Sequence, residues 1–490
     1  MKAKNIIIAS LLLLSFLTAC KKEFLIEDNP NEPTTAQFWR NETDARSSIV
    51  ALYAPLNFQY RYGFFEFGWG PENWKSDELL YGGEYPVFYQ IANYINTPEV
   101  YELMEFYNNA YQYVNRANQS IEGIPLCTMD ENLKAEMIAE AKFFRAYGYF
   151  KLLRNFQHIP FYERSPETTE EIYAKQADRA VVWALIEADF LEAIEKLPAS
   201  RAGAEVGRVT KAAAASFLGY AYLYQQKYTE AASVLSRVES AEFGAYSLLA
   251  IDDYNQNWDG SNENNQETIW EIQMHNVKSD ATNILQAEFL SWQEANASEW
   301  IFDRFTAESA LDGNTDPRYF KSMMSPDLDF QAPLGTYSEL SSSGNNLILK
   351  HTTDQWVAGN RNENNYPLMR YADVLLMLAE AVNETSGADA ALPYINQVRE
   401  RALMPDLPTG LSKEAFREKL MNERAVELCF ESRRWYDLVR WHEAGWIDIK
   451  QVLMQHNKPG AATFDERHLY YPIPEIEYEV NPNLDRSKQW

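Results

Sequence analysis

A mostly α-helical scaffold of tetratricopeptide-like hairpins, broken by one long irregular insert with short strands, is the fold class this 490-residue sequence predicts. Three observations carry it. First, two segments share one pattern of spacings. Leu218-Gly219 is followed by Tyr222, Ala231 and Leu235; Leu378-Ala379 is followed by Val382, Ala391 and Ile395, at the same offsets. Small residues at these points let two helices approach closely, the mark of helix–turn–helix repeats. Second, long stretches on either side of these segments keep apolar residues at helical period. Third, residues 240–367 lose that period. They collect Gly, Asn, Ser and Asp in "DDYNQNWDGSNENNQ" and "SELSSSGNNL", with strand-like pieces such as "ETIWEIQM" between.

The elements follow in chain order. Residues 1–19 read as a signal peptide: Lys2 and Lys4, then an apolar run from Ile6 to Leu17, too short to span a bilayer. It ends in Leu17-Thr18-Ala19-Cys20, which resembles a bacterial lipoprotein signal with Cys20 as the acylated first residue. Two or more acyl chains hold a protein firmly on a membrane, so the chain is expected to be exported and anchored. Residues 20–40 form an extended arm, since Pro30 and Pro33 oppose helix. From 41 to 490 the chain reads as one interwoven helical unit. A helix opens at Asn41–Thr43 and runs through Ile49, Leu52 and Tyr53. Residues 61–90, rich in Gly and aromatics, read as loops. Helices are predicted over 98–122, 133–155 and 178–196, the last two forming a further pair.

Composition narrows function. A formal net charge of −27 disfavours nucleic acid and anionic membrane surfaces, which need Lys and Arg to neutralise phosphate. Aromatics reach 14%, with 30 Tyr and 13 Trp, enough for a face that stacks on flat apolar ligands. After lipidation two cysteines remain, Cys127 and Cys429; the sequence leaves open whether they pair. His442-Glu443 begins a zinc-protease motif, but Trp446 stands where a second His is needed. No phosphate loop, dinucleotide fingerprint or nucleophile elbow occurs. "DGNTDP", 312–317, opens like a calcium loop, yet Pro317 replaces the turn-making Gly. No metal and no cofactor is expected.

"NERAVELCFESRRWYDLVRW", 422–441, reads as one helix dense in charge. Arg424 and Glu427, Glu431 and Arg434, Asp437 and Arg440 lie three residues apart, a spacing that favours ion pairs. Trp435, Tyr436 and Trp441 are wide enough to pack between helices, so the stretch is expected to be core rather than a ligand surface.

With these blocks in place the chain resembles the SusD/RagB family of outer-membrane nutrient-binding lipoproteins of Bacteroidota over nearly its whole length. The resemblance rests on the signal ending at Cys20, "TAQFWRNETDARSSIVALYAPL", "AEAKFFRAYGYFKLLRNFQHIPF", "DPRYF", "YPLMRYADVLLMLAEAVNE", "NERAVELCFESRRWYDLVRW" and "YPIPEIEYEVNPNL", in order. It implies a protein on the cell surface that caps a SusC-like TonB-dependent outer-membrane transporter, captures a glycan or sometimes a peptide, and hands it on without catalysis. Such lipoproteins tend to carry acidic residues directly after the cysteine; here Lys21-Lys22-Glu23 supplies one.

Sugar rings present apolar C–H faces and a hydroxyl rim. Trp and Tyr cover the first; Asn, Asp and Arg bond the second. Loop aromatics are the candidates, because scaffold aromatics are expected to be core. They are Trp69, Trp74, Tyr81 and Tyr85 in the first loop region and Trp292 and Trp300 in the insert, with Asn73, Asn296 and Arg304 as polar partners. Two other readings stay open at this point. A surface glycoside hydrolase would release product from polysaccharide. A peptide-binding repeat scaffold would prefer a peptide panel.

Overall fold

The computed structural model describes residues 38–57, 71–275, 282–341, 343–355 and 362–488. The signal peptide, Cys20, most of the arm and Trp69 lie outside the described residues. Asn41 caps α1 (Glu42–Tyr53): its Oδ1 accepts from the backbone N–H of Thr43 and Asp44. The region read as loops holds regular structure from residue 71 onward: a helical turn at Pro71–Trp74, β1 (Leu79–Tyr81) and α2 (Pro86–Ala92). Pro86 stands at the first helical position, where its missing N–H costs nothing.

A stack of helices follows. α3 (Tyr101–Gly123) buries Leu103, Phe106, Ala110, Tyr113, Val114 and Ala117 against α4 (Glu131–Phe156). α4 packs on α5 (Arg179–Lys196), α5 on α6 (Lys211–Tyr224), and α6 on α7 (Tyr228–Glu239). The stack then crosses the insert: α7 packs directly on α9 (Tyr371–Ser386), and α9 on α10 (Ala388–Arg401) and α11 (Lys413–Glu427). The repeat offsets are therefore hairpin contacts. A Cβ built on Gly219 would lie 2.4 Å from Leu235 Cδ2, so only glycine admits the second helix of that hairpin at this distance. Ala231, Leu235, Ala391 and Ile395 are all fully buried.

The insert is tied at its neck. β2 (Thr268–Ile272) pairs antiparallel with β6 (Tyr366–Arg370), joining its start to its end. Between them lie β3 (Ala295–Ala297), α8 (Glu299–Thr306) and the two-residue strands β4 (Met323–Met324) and β5 (Leu347–Ile348), which pair with each other. One apolar cluster runs from Ala45 to Ile473 and includes insert residues such as Trp270, Phe289 and Met324. Cys127 and Cys429 are both buried free thiols.

The charged stretch 422–441 is core, as its aromatics suggest, but it is not one helix. α11 ends at Glu427 and α12 (Arg434–Glu443) starts seven residues later. Phe430 and Ser432 take left-handed backbone at φ +61° and +58°. The break lets the charges reach partners far along the chain. Arg370 holds Glu267, Glu427 and Glu431; Arg318 holds Asp316, Glu423 and Glu427; Arg401 holds Glu427 at 2.5 Å; Lys350 holds Glu431 at 2.8 Å. Arg424 bonds Asp373 and Asp437, and Arg434 bonds Asp77. Of the three expected local pairs only Asp437–Arg440 forms. Buried charges without partners are costly, so the backbone bends to supply them.

Candidate functional site

β1 and β3 pair antiparallel, with Leu79 opposite Ala297, Leu80 opposite Asn296 and Tyr81 opposite Ala295. This short ladder joins the two regions that the sequence marked as aromatic loops. Gly82 N–H extends it by donating to Glu294 O at 2.7 Å. On the far edge of β3, Ala297 N–H donates to Asn346 O. The turn after β1 needs glycine: a Cβ on Gly83 would lie 2.6 Å from Tyr81 Oη and 2.7 Å from Glu294 Cδ.

Two tyrosines shape the surface here. Tyr81 Oη accepts from Tyr85 N–H at 2.7 Å, which folds its ring over the turn. Trp74 meets Tyr81 edge-on at 4.9 Å, and Phe88 supports both Tyr81 and Tyr85. Tyr81 and Tyr85 stay half-buried. Tyr89, one helical turn beyond Tyr85 on α2, is 54% exposed. From the insert comes Trp292, 45% exposed, at the end of a π-helical turn (Ala287–Ser291) that its N–H closes onto Ala287 O. The next residue, Gln293, turns the chain at φ +53°, and its side chain donates to Leu340 O and accepts from the Ser343 hydroxyl.

Behind β1 the polar groups are structural. Arg434 grips Asp77 with two bonds of 2.7 Å, and His456 Nδ1 lies 2.7 Å from Asp77 Oδ2. Burial pushes the Asp77 carboxyl up, but Arg434 and His456 outweigh it and hold it well below the usual range. Lys458 Nζ, itself buried, donates to Trp74 O and Leu79 O and so ties the C-terminal segment to β1.

The candidates therefore divide. Trp74, Asn73 and Asn296 are buried: Trp74 is packing, Asn73 donates to Ser432 Oγ, and Asn296 Nδ2 donates to Gln293 O. Trp300 stacks on His456 at 4.3 Å with the Arg434 guanidinium 4.4 Å from its ring, so it is taken up by the cluster behind β1. Arg304 is half-buried on α8, which packs on α11. Tyr81, Tyr85 and Trp292 retain open surface at the junction. Tyr89 escaped the sequence reading, although its spacing from Tyr85 matches one helical turn. Glu84, Glu288 and Glu294, also at this junction, carry no sequence signal that sets them apart. Elsewhere in the insert, a cavity of about 610 Å³ opens between Phe320, Phe330, Leu349 and Thr352. Among the described residues no helix is long and apolar enough to cross a membrane.

The chain has known relatives. The sequence profile of the SusD family matches residues 245–490, and a second profile, described as starch-binding associating with outer membrane, matches 73–223. SusD-like protein P25 of Formosa agariphila is 26% identical over 99% of this chain and 98% of its own. A SusD superfamily protein from Bacteroides vulgatus superposes with a TM-score of 0.82 at 27% identity, covering 91% of this chain and 99% of that one. A laminarin-binding SusD-like protein superposes with a TM-score of 0.75 at 24% identity, over 91% and 99% of the two chains.

Proposed function

This chain belongs to the SusD family, and we propose that it captures a glycan on an aromatic surface built from Tyr81, Tyr85 and Trp292 and passes it to a SusC-like TonB-dependent transporter in the outer membrane. One observation carries the reading. The β1–β3 ladder brings aromatic residues from two distant parts of the chain to one junction and leaves them partly open, while the other described tryptophan candidates, Trp74 and Trp300, are engaged in packing. Flat rings held on and beside a paired strand suit the apolar faces of sugars, because little side-chain entropy is lost on contact. The laminarin-binding structure supports a carbohydrate as the ligand class. Anchoring through acylated Cys20, with the remaining chain outside the cell, fits a protein that holds cargo above a transporter.

Catalysis is not part of the reading. Hydrolysis of a glycosidic bond needs two carboxyls facing the sugar. At this junction Glu288 is wholly buried, which leaves Glu84 and Glu294, and the release of reducing ends in the assay below decides whether they act on a sugar.

Affinity electrophoresis of the purified protein in gels containing laminarin, starch, xylan or galactomannan tests the proposal. Retention by at least one polysaccharide is expected, with no release of reducing ends. Trp292→Ala and Tyr85→Ala are each expected to weaken that retention by about 5–30-fold, the loss of an exposed aromatic contact worth about 1–2 kcal/mol. Trp300→Ala, which strips the packing behind β1, serves as the comparison for indirect effects. Unchanged retention in the Trp292→Ala, Tyr85→Ala double variant would rule out this surface. Pull-down of the native outer-membrane complex, with a large β-barrel expected to come along, tests the transporter.

A further inference from the structure

Under Tyr81 the same junction gathers acceptor atoms with nothing to donate to them. Both carboxyl oxygens of Glu288, Oε2 of Glu294 and Oδ1 of Asn296 are buried and have no hydrogen-bond partner among the described residues. Glu288 has no exposed surface at all. Buried polar atoms are nearly always satisfied, and several orphans at one place call for an unseen partner. The chain does not supply one locally: residues 79–92 and 287–299, which build the junction, contain no Lys, Arg or His.

The geometry brings the orphans together deliberately. Glu294 N–H donates to Glu288 O at 3.1 Å, so the π-helical turn and the Gln293 kink fold the two acidic residues onto each other. Asn296 stands two residues after Glu294, on the same face of the strand. Its Nδ2 is committed to Gln293 O, which leaves Oδ1 as a pure acceptor. Gly82 and Gly83 close over this group: a Cβ on Gly82 would lie 2.9 Å from Asn296 Nδ2, and one on Gly83 2.7 Å from Glu294 Cδ. A proton on Glu288 would add one donor against all these acceptors. A hard cation would satisfy them together.

We propose that Glu288, Glu294 and the side-chain oxygen of Asn296 bind a calcium ion behind Tyr81. No group of three or more His, Cys, Asp or Glu side chains among the described residues is arranged to hold a metal. Calcium meets that restriction, because it takes amide and backbone carbonyl oxygens and water in irregular shells of six to eight, whereas magnesium demands a tight octahedron. The ion would brace the insert turn that carries Trp292 against β3, the strand that pairs with the one carrying Tyr81.

The test uses the mature protein after treatment with a chelator. Terbium, which replaces calcium and lights up when excited through nearby tyrosine and tryptophan, is added and then displaced. A saturable signal is expected, removed by calcium and not by equal magnesium. The melting temperature of the unaltered protein is expected to rise with calcium. Glu288→Gln and Glu294→Gln are each expected to weaken calcium binding by at least about tenfold. A protein with −27 net charge also collects cations loosely on its surface, and that background would persist in both variants. Equal calcium affinity in the unaltered protein and in Glu288→Gln overturns the proposal. So does a melting temperature of the unaltered protein that is indifferent to calcium and chelator, a result that needs no variant to fold.

Discussion

Replacing Glu427 by Gln removes one charge from a point where three arginines meet. Its carboxylate receives Arg401 at 2.5 Å, Arg318 at 3.1 Å and Arg370 at 3.3 Å, and it is fully buried. The surrounding cluster balances one for one: Arg318, Arg370, Arg399, Arg401 and Lys350 against Asp316, Glu267, Glu423, Glu427 and Glu431. Glutamine keeps the shape and one acceptor oxygen but leaves the cluster with an uncompensated positive charge. Arg401 suffers most, because its other partner, Glu267, is 3.4 Å away. Breaking a buried pair from one side costs about 3–5 kcal/mol. Glu131→Gln, an exposed carboxylate paired with the half-buried Lys134, is the control and is expected to cost under about 1 kcal/mol. The assay is urea denaturation followed by far-UV circular dichroism. Acid adds a second signature. Burial pushes the Glu427 carboxyl up, but Arg401, Arg370, Arg318 and Lys350 together hold it below its ordinary range. A depressed carboxyl stabilises the fold fully above its unfolded pKa and loses that contribution as pH falls through the folded one. The gap between Glu427→Gln and the unaltered protein is therefore widest at neutral pH and narrows on acidification below about pH 4.5. A variant within about 0.5 kcal/mol of the unaltered protein at neutral pH would refute the argument that this cluster is held by its charge balance.

Two further outcomes follow from the fold. Gly219→Ala places a methyl 2.4 Å from Leu235 Cδ2 and 2.5 Å from its Cγ, so it is expected to destabilise by about 1–3 kcal/mol; adding Leu235→Ala should recover part of that strain, seen as non-additivity in a double-mutant cycle. Glu78 behaves oppositely to Glu427: burial and the Asp77 charge push its carboxyl up to about 8. A raised carboxyl stabilises below its unfolded pKa and loses that contribution as pH rises through the folded value. Thermal melts of Glu78→Gln should accordingly decline less between pH 5 and pH 8 than those of the unaltered protein, and parallel declines would count against this assignment.

Much of the architecture was legible because helices advertise themselves locally. The Asn41 cap, the apolar side of α3 and the matching offsets in the α6–α7 and α9–α10 hairpins all depend on residues within a few turns of one another. The break at Phe430 and Ser432 was not legible. Neither residue is a glycine, and the left-handed turn is maintained by partners at Glu267, Arg318, Lys350 and Arg370, far away in the chain. The strands at the site were hidden for a related reason: three residues cannot show a period, and Leu79–Tyr81 becomes a strand only when Ala295–Ala297 lies beside it.

What the amino-acid order determined by itself was the kind of building block, the hairpin contacts and the expectation of a core inside a charged segment. What the tertiary structure alone decided was which aromatic rings remain available. Trp74, Trp292 and Trp300 look alike in sequence, each a tryptophan with a charged or amide residue directly beside it. One is walled in by Phe88 and Tyr81, one rests on His456 and Arg434, and one stays open to solvent. Exposure depends on what distant segments bring to either face of a ring, and local composition holds no record of that.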